Sequence, residues 1–233
     1  MQAFHLRSLT VGYDDKIAIA GIRCVIEKNR TTALIGPGGS GKTTLLRLLA
    51  MPEHGPPVAM WYRGIVWRQK ATLAVLPQHS SSASSSLGEL LWQRVGKGLD
   101  LHRFIDTLWS EVSLAAAALI RNSLAVPRPC LPRSLRRLVD ITVALSCPGD
   151  IVLLDEPEAG TDDLHCEWIR TKLAALRGTR TIVMVTHHLP LVRAASDQSI
   201  FLLDGHIVET GATTAMFQNP QHPRTRDLIT MGG

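Results

Sequence analysis

Thr31-Thr32-Ala33-Leu34-Ile35-Gly36-Pro37-Gly38-Gly39-Ser40-Gly41-Lys42-Thr43-Thr44-Leu45-Leu46-Arg47-Leu48-Leu49-Ala50 is the stretch on which the reading of this chain turns. Its first five residues are β-branched or apolar without a break, the pattern of a strand buried on both faces. Thr44 to Ala50 reads as a helix. Between them, Gly36 to Thr43 satisfies G-x-x-x-x-G-K-[ST] at every fixed position. Glycines let successive backbone N–H groups turn inward around a phosphate with no Cβ in the way. A helix starting near Lys42 adds its positive N-terminal end. Lys42 then serves as a point charge for the outer phosphates, and Thr43 offers a hydroxyl to Mg2+. A strand, a glycine loop and a helix in this order point to an α/β core.

Outward from that stretch, Ile151-Val152-Leu153-Leu154 and Thr181-Ile182-Val183-Met184-Val185 are also uniformly apolar, as strands in the middle of a parallel sheet are. The first runs into Asp155-Glu156-Pro157. A buried parallel strand delivers its last residues to the sheet edge where ligands bind. Asp155 there can hold Mg2+, and Glu156 can orient or deprotonate an attacking water. Leu73 to Leu76 is a short strand, and Phe201 to Glu209 is a hairpin turning at Asp204-Gly205. Residues 4–11 and 22–35 read as strands, with a turn at Tyr13-Asp14-Asp15. Residues 51–57 read as a loop, and the serine-rich run from His79 to Ser86 as a flexible connection. From Leu87 to Leu145 the pattern turns helical, broken by prolines between Pro127 and Pro132. The tail from Phe217 is polar and contains proline.

The chain has 233 residues, 45% hydrophobic and 19% charged, which excludes a disordered chain and is enough for a core without metal or disulfide staples. A net charge of +5 suits acidic partners without choosing among nucleotide, nucleic acid and membrane. Cys24, Cys130, Cys147 and Cys166 form no C-x-x-C pair, which argues against a zinc ribbon or disulfide framework. No run approaches the ~18 apolar residues of a membrane span, and the N-terminus lacks a signal-peptide stretch. A soluble, cytoplasmic chain is expected.

Taken together, these motifs resemble those of the ATP-binding subunits of ABC transporters, and the resemblance covers nearly the whole chain. Gln78, in Leu76-Pro77-Gln78, resembles the family's Q-loop glutamine, which touches Mg2+ and the attacking water and relays movement to the membrane subunit. Asp162, in Glu158-Ala159-Gly160-Thr161-Asp162, occupies the D-loop aspartate position. His187, in Thr186-His187-His188, resembles the switch histidine that bonds the γ-phosphate. Tyr13 stands where the family has an aromatic residue stacking on adenine. By resemblance, ATP is held by Tyr13, Gly36, Pro37, Gly38, Gly39, Ser40, Gly41, Lys42, Thr43, Thr44 and Asp162. Mg2+ is held by Thr43, Gln78 and Asp155, and catalysis falls to Glu156, His187 and Gln78. His188 stands where the family has aspartate and reads as a bystander. His165 and Cys166 lack metal-ligand spacing. The approach Glu27 to Pro37 and the tail Asn219 to Thr230 resemble those of phosphate-importer ATPases.

The implied fold is α/β: a P-loop core with a mostly parallel sheet, an antiparallel β subdomain and an inserted helical subdomain. The implied layout is a single domain. Residues 1–78 and 146–215 form its core, 79–145 its helical insertion and 216–233 its tail. One departure stands out. The family signature Leu-Ser-Gly-Gly-Gln is replaced here by Leu131-Pro132-Arg133-Ser134-Leu135. That signature presents a serine hydroxyl and helix N-terminal amides to ATP on a partner subunit. Pro132 removes a hydroxyl and an N–H donor, although proline is compatible with a helix start. Either the signature is degenerate, or Arg133 or Ser134 contacts phosphate in its place.

Three functions are open at this stage. An ATPase subunit would drive transmembrane permease subunits from the inner face of the membrane, paired with a second, non-identical ATPase because of the altered signature. A nucleotide-gated regulatory module would hydrolyse slowly. A small-molecule kinase would leave Asp155-Glu156-Pro157 and His187 unexplained. No nucleic-acid partner is expected, since a DNA-associated ATPase of this kind needs coiled-coil arms and the sequence has no heptads.

Overall fold

The computed structural model describes residues 1–51, 60–76, 86–89, 91, 100–109, 114–146, 149–161 and 163–231. Gln78, Asp162 and most of the serine-rich run lie outside them. β1 (Gln2–Tyr13), β2 (Lys16–Glu27) and β4 (Met60–Arg68) make an antiparallel sheet in the order β2-β1-β4. β3 (Thr31–Ile35), β5 (Leu73–Leu76), β6 (Ile151–Asp155), β7 (Thr181–Val185), β8 (Gln198–Leu203) and β9 (His206–Ala212) make a second sheet, ordered β5-β6-β7-β3-β8-β9. Every pairing in the second sheet is parallel except β8 with β9.

All five residues of β3, β6 and β7 are buried. Their side chains alternate between two cores, as the two-residue period of a strand requires. Val152, Leu154, Ile182, Met184, Ala33 and Ile35 join the core on the helical side. Ile151, Leu153, Val183, Val185 and Leu34 join the core beneath the antiparallel sheet and α1 (Lys42–Leu49). The parallel sheet is thus the middle of three layers.

The helical side carries α2 (Leu101–Trp109), α3 (Leu114–Asn122), α4 (Arg133–Ser146), α5 (Asp163–Leu176) and α6 (Leu189–Ala195). A short 3-10 turn at Arg128–Cys130 occupies the expected proline break. Ser86 ends the serine run as a helix cap. Its amide donates to Glu89 Oε2 and its Oγ accepts from the Glu89 amide, at 3.0 and 3.2 Å, a reciprocal capping box.

The structure revises several sequence expectations. The first hairpin is longer than expected, because β2 already begins at Lys16 and Asp14 takes a left-handed φ of 48° in the turn. The expected single strand over 22–35 is broken after Glu27 by a turn in which Asn29 has φ 57°. β4 was not expected. It is an edge strand whose Tyr62, Ile65 and Trp67 are exposed while Met60 alone is buried, so its pattern shows no regular alternation. The polar tail is largely helical: α7 (Thr213–Gln218) runs into it and α8 (Pro223–Met231) follows, with Pro223 at the first helical position where its missing N–H costs nothing. Residues 52–57 of the expected loop lie outside the described residues.

Candidate functional site

The loop from Gly36 to Gly41 joins β3 to α1, and its glycines do different work. Gly36 has φ 144°, and a Cβ there would lie 2.0 Å from the Leu202 carbonyl oxygen. Gly41, at φ 100°, caps α1, and a Cβ would lie 2.8 Å from the Ala18 oxygen. These two let the loop run hard against its neighbours. A Cβ on Gly38 or Gly39 would meet nothing within 4 Å, so the middle of the loop borders open space. The β8–β9 turn anchors the loop: the Gly205 amide donates to the Ser40 oxygen at 3.2 Å, while the Gly205 oxygen accepts from the Ala20 amide at 2.9 Å.

Lys42 is only 5% exposed. Its Nζ donates to the Gly36 and Pro37 oxygens, both at 2.8 Å, and to Ser40 Oγ at 3.3 Å. Burial pushes its pKa down, while Glu156 and Asp155 hold it up. The ammonium is therefore stored beneath the loop against weak neutral acceptors, which an anion entering the loop would outcompete. Thr43, one residue into α1, donates its hydroxyl to Asp155 Oδ1 at 3.2 Å. Asp155 ends β6 and is buried. Burial pushes its carboxyl pKa up against the Thr43 bond, Glu156 pushes it further up, and Arg47 and Arg137 pull it down. The Thr43 hydroxyl and the Asp155 carboxylate form a pair of hard oxygens at the mouth of the loop, the donor type a small divalent cation takes. Thr44 follows them in the first turn of α1.

Glu156 leaves the strand with φ 48°, and its amide donates to the Val185 oxygen at 2.8 Å. This turn aims its side chain across to the loop after β7. There His187 Nε2 lies 3.6 Å from Glu156 Oε1. The structure thus brings together the phosphate loop, Asp155, Glu156 and His187. Tyr13 ends β1 half-buried against the core beneath the antiparallel sheet. Its hydroxyl has no hydrogen-bond partner among the described residues. The His188 ring is exposed and its amide donates to Thr186 Oγ1 at 2.9 Å. Cys166 Sγ lies 3.3 Å from Thr161 Oγ1.

Arg137 escaped the sequence reading. It is buried in α4, and its guanidinium donates to the carbonyl oxygens of both Asp155 and Glu156. A signal was present. Arg137, Ile141, Ala144 and Leu145 recur at helical spacing on one buried stripe, and a charge on an apolar stripe demands a partner. In the signature region, the Arg136 amide donates to the Pro132 oxygen at 3.0 Å and α4 begins at Arg133. The helix start survives the proline. Pro132, Arg133 and Ser134 are exposed there, between buried Leu131 and Leu135.

A family model described as ABC transporter matches residues 19–159. The chain is 30% identical to the L-cystine transport system ATP-binding protein TcyN of Escherichia coli (strain K12), with 98% of each chain covered. It is 31% identical to the phosphate import ATP-binding protein PstB 1 of Streptococcus agalactiae serotype III (strain NEM316), covering 95% of this chain and 94% of that one. Among solved structures, an ATP-binding subunit of an ABC transporter superposes with TM-score 0.76 at 18% identity over 99% of both chains. A bacterial Atm1-family ABC exporter with ATP bound superposes with TM-score 0.81 at 19% identity, covering 98% of this chain and 41% of that one. These two superpositions support the fold: a P-loop core with an antiparallel β layer and an inserted helical layer. With the family model and the relatives, they lead to one conclusion: the chain belongs to the ABC transporter family, as one of its ATP-binding ATPase subunits.

Proposed function

We propose that this ATPase subunit powers an importer, docked from the inner face of the membrane on transmembrane permease subunits and paired with a second, non-identical ATPase. What carries the proposal is the convergence of Lys42, the Thr43–Asp155 pair, Glu156 and His187 on one sheet edge beside an open glycine loop. The importer assignment draws support from relatives named for L-cystine transport and phosphate import. Among the described residues no helix is long and apolar enough to cross a membrane, in keeping with membrane spans supplied by other chains. In this layout residues 1–78 and 146–215 form the nucleotide-binding core, 79–145 the helical insertion and 216–233 the tail.

The open space over Gly38 and Gly39, the buried cation below it and the oxygen pair beside it fit a Mg-ATP phosphate tail. Bound Mg-ATP supplies a phosphoanhydride and a metal that offsets its charge. The amides of Gly38 to Lys42 wrap the phosphates, Lys42 gives up its loop carbonyls to reach them, and Thr43 and Asp155 hold the metal side. Glu156 orients or deprotonates the attacking water, and His187, within reach of Glu156, bonds the outermost phosphate. Tyr13 is assigned to the adenine, Gln78 to the metal and the attacking water, and Asp162 to ATP.

Pro132 and Arg133 favour a second reading, in which the chain binds ATP and gates a partner while hydrolysing slowly. The two separate by turnover of the purified chain, alone and mixed with an ABC ATP-binding subunit whose signature is intact. The pairing proposal expects slow turnover alone and fast turnover in the mixture, abolished by Glu156→Gln in this chain. Fast turnover by the lone chain refutes the need for a partner. Mg-ATP binding that is undiminished in Lys42→Ala refutes the site.

A further inference from the structure

We infer that Glu158 is a positioning residue for His187, an inference that rests on the proposed roles of Glu156 and His187. Glu158 lies in the turn after β6, two residues beyond Glu156. Its Oε1 accepts a hydrogen bond from the Thr186 hydroxyl, across 28 residues of sequence. Thr186 is fully buried and immediately precedes His187. Its hydroxyl oxygen also accepts from the His188 amide at 2.9 Å, so the hydroxyl is clamped from both sides. The backbone flanking His187 is thereby fixed relative to the turn that carries Glu156.

The glutamate is itself held in place. Its carbonyl oxygen accepts from the Thr161 hydroxyl at 2.6 Å and from the Thr161 amide at 3.1 Å. Arg137, which grips the carbonyls of Asp155 and Glu156, lies close enough for its charge to be felt by Glu158. Glu158 Oε2 is buried with no hydrogen-bond partner among the described residues. A half-buried carboxylate with one oxygen shut off from water and unpaired is costly to keep. A role confined to filling the turn would be served by a side chain with no acceptor oxygen. What Glu158 adds is an acceptor for the hydroxyl next to His187. The loops after β6 and β7 are therefore joined by a brace lying behind the Glu156–His187 pair.

Glu158→Ala removes the acceptor, whereas Glu158→Gln keeps an oxygen in the same place. Two readouts on the full chain test the inference. In turnover by the active assembly, Glu158→Ala is expected to lower kcat about tenfold or more with KM for ATP little changed, since misplacing a catalytic group by about 1 Å can cost 100-fold. Glu158→Gln is expected to restore most of the rate. In the lone chain, with histidine rings isotope-labelled for NMR, Glu158→Ala shifts the His187 ring resonances and Glu158→Gln leaves them near wild type. Unchanged His187 resonances in a folded Glu158→Ala chain overturn the inference, as does a kcat within twofold of wild type. Failure of the proposed function shows separately, as wild-type turnover that Glu156→Gln does not reduce.

Discussion

Replacing Arg137 by methionine tests whether α4 and the catalytic strand end are held together by one guanidinium. Methionine keeps most of the arginine stem, so the cavity left behind is small. The Asp155 carbonyl then loses a charged donor. The Glu156 carbonyl loses one too but keeps the Ala159 amide at 3.0 Å. Losing a bond from a charged donor costs about 1.5–3 kcal/mol and losing one of two bonds about 1 kcal/mol, so the gross loss is about 2.5–4 kcal/mol. Against this, the guanidinium is expensive to bury. Burial pushes its pKa down, while Asp140, Asp155, Glu158 and Glu156 hold it up. Methionine relieves that cost, and apolar replacement of buried charge is often less damaging than removal of a single bond suggests. The net destabilisation is therefore placed at the low end, about 2–3 kcal/mol, or a fall in Tm of about 4–12 °C for a chain of this length. The assay is urea and thermal unfolding of wild type, Arg137→Met and Arg137→Lys. Lysine supplies one donor head and is expected to fall between the other two. A Met variant as stable as wild type, or a Lys variant no better than Met, refutes the reasoning.

The two kinds of glycine in the phosphate loop separate folding from binding. Gly36→Ala forces a Cβ to within 2.0 Å of a backbone oxygen at φ 144° and is expected to give insoluble or unfolded chain. Gly38→Ala meets nothing within 4 Å and is expected to keep the wild-type Tm while weakening Mg-ATP at least tenfold in a titration. Asp155→Asn is expected to raise Tm at pH 7 while abolishing turnover. Burial raises the folded-state pKa of Asp155 above its usual value, so its stabilising share is present at low pH and lost as pH rises through that pKa. The Asn variant's advantage should accordingly vanish as the pH falls towards 3.8, the ordinary aspartate value, which unfolding curves at several pH values check. Cys24, its pKa pushed up to about 12 by burial, should resist maleimide at pH 8 while exposed Cys130 reacts, as peptide mass spectrometry would show.

Some elements are legible in the sequence because one physical constraint dominates them. β3, β6 and β7 are covered on both faces, so each reads as an unbroken apolar run. The phosphate loop is legible because backbone geometry leaves glycine as the residue of choice at Gly36 and Gly41. β4 answers to no such constraint. It lies at a sheet edge with Ile65 58% and Trp67 49% exposed, so exposure scrambles the alternation that marks a half-buried strand. Arg137 shows the opposite: a charge in a helix reads as surface unless its spacing from Ile141 and Ala144 is followed onto the buried stripe. α8 carried a start signal at Pro223, but its polar composition outweighed that signal because only Thr225 is buried in it.

The site itself follows from strand order rather than closeness in sequence. Thr43 and Asp155 stand 112 residues apart yet share a hydrogen bond, because β6, β7 and β3 are consecutive in the sheet and all run the same way. Their C-terminal ends open on one edge, so the loops carrying Asp155 and Glu156, His187, and the phosphate loop are neighbours by construction. Reading the three apolar runs as parallel strands therefore already implied that edge. It could not supply the lateral ties. Arg137 ties α4 to the end of β6 and Glu158 ties the turn after β6 to Thr186, and only tertiary packing decides which of these groups meet. The altered signature bears on this directly. α4 begins at Arg133, one turn before Arg137 grips the strand end, so the start of this helix is tied to the strand end that carries Asp155 and Glu156. Pro132 takes one N–H from that helix start and Arg133 adds a long side chain to it, while the Arg137 brace behind it stays in place.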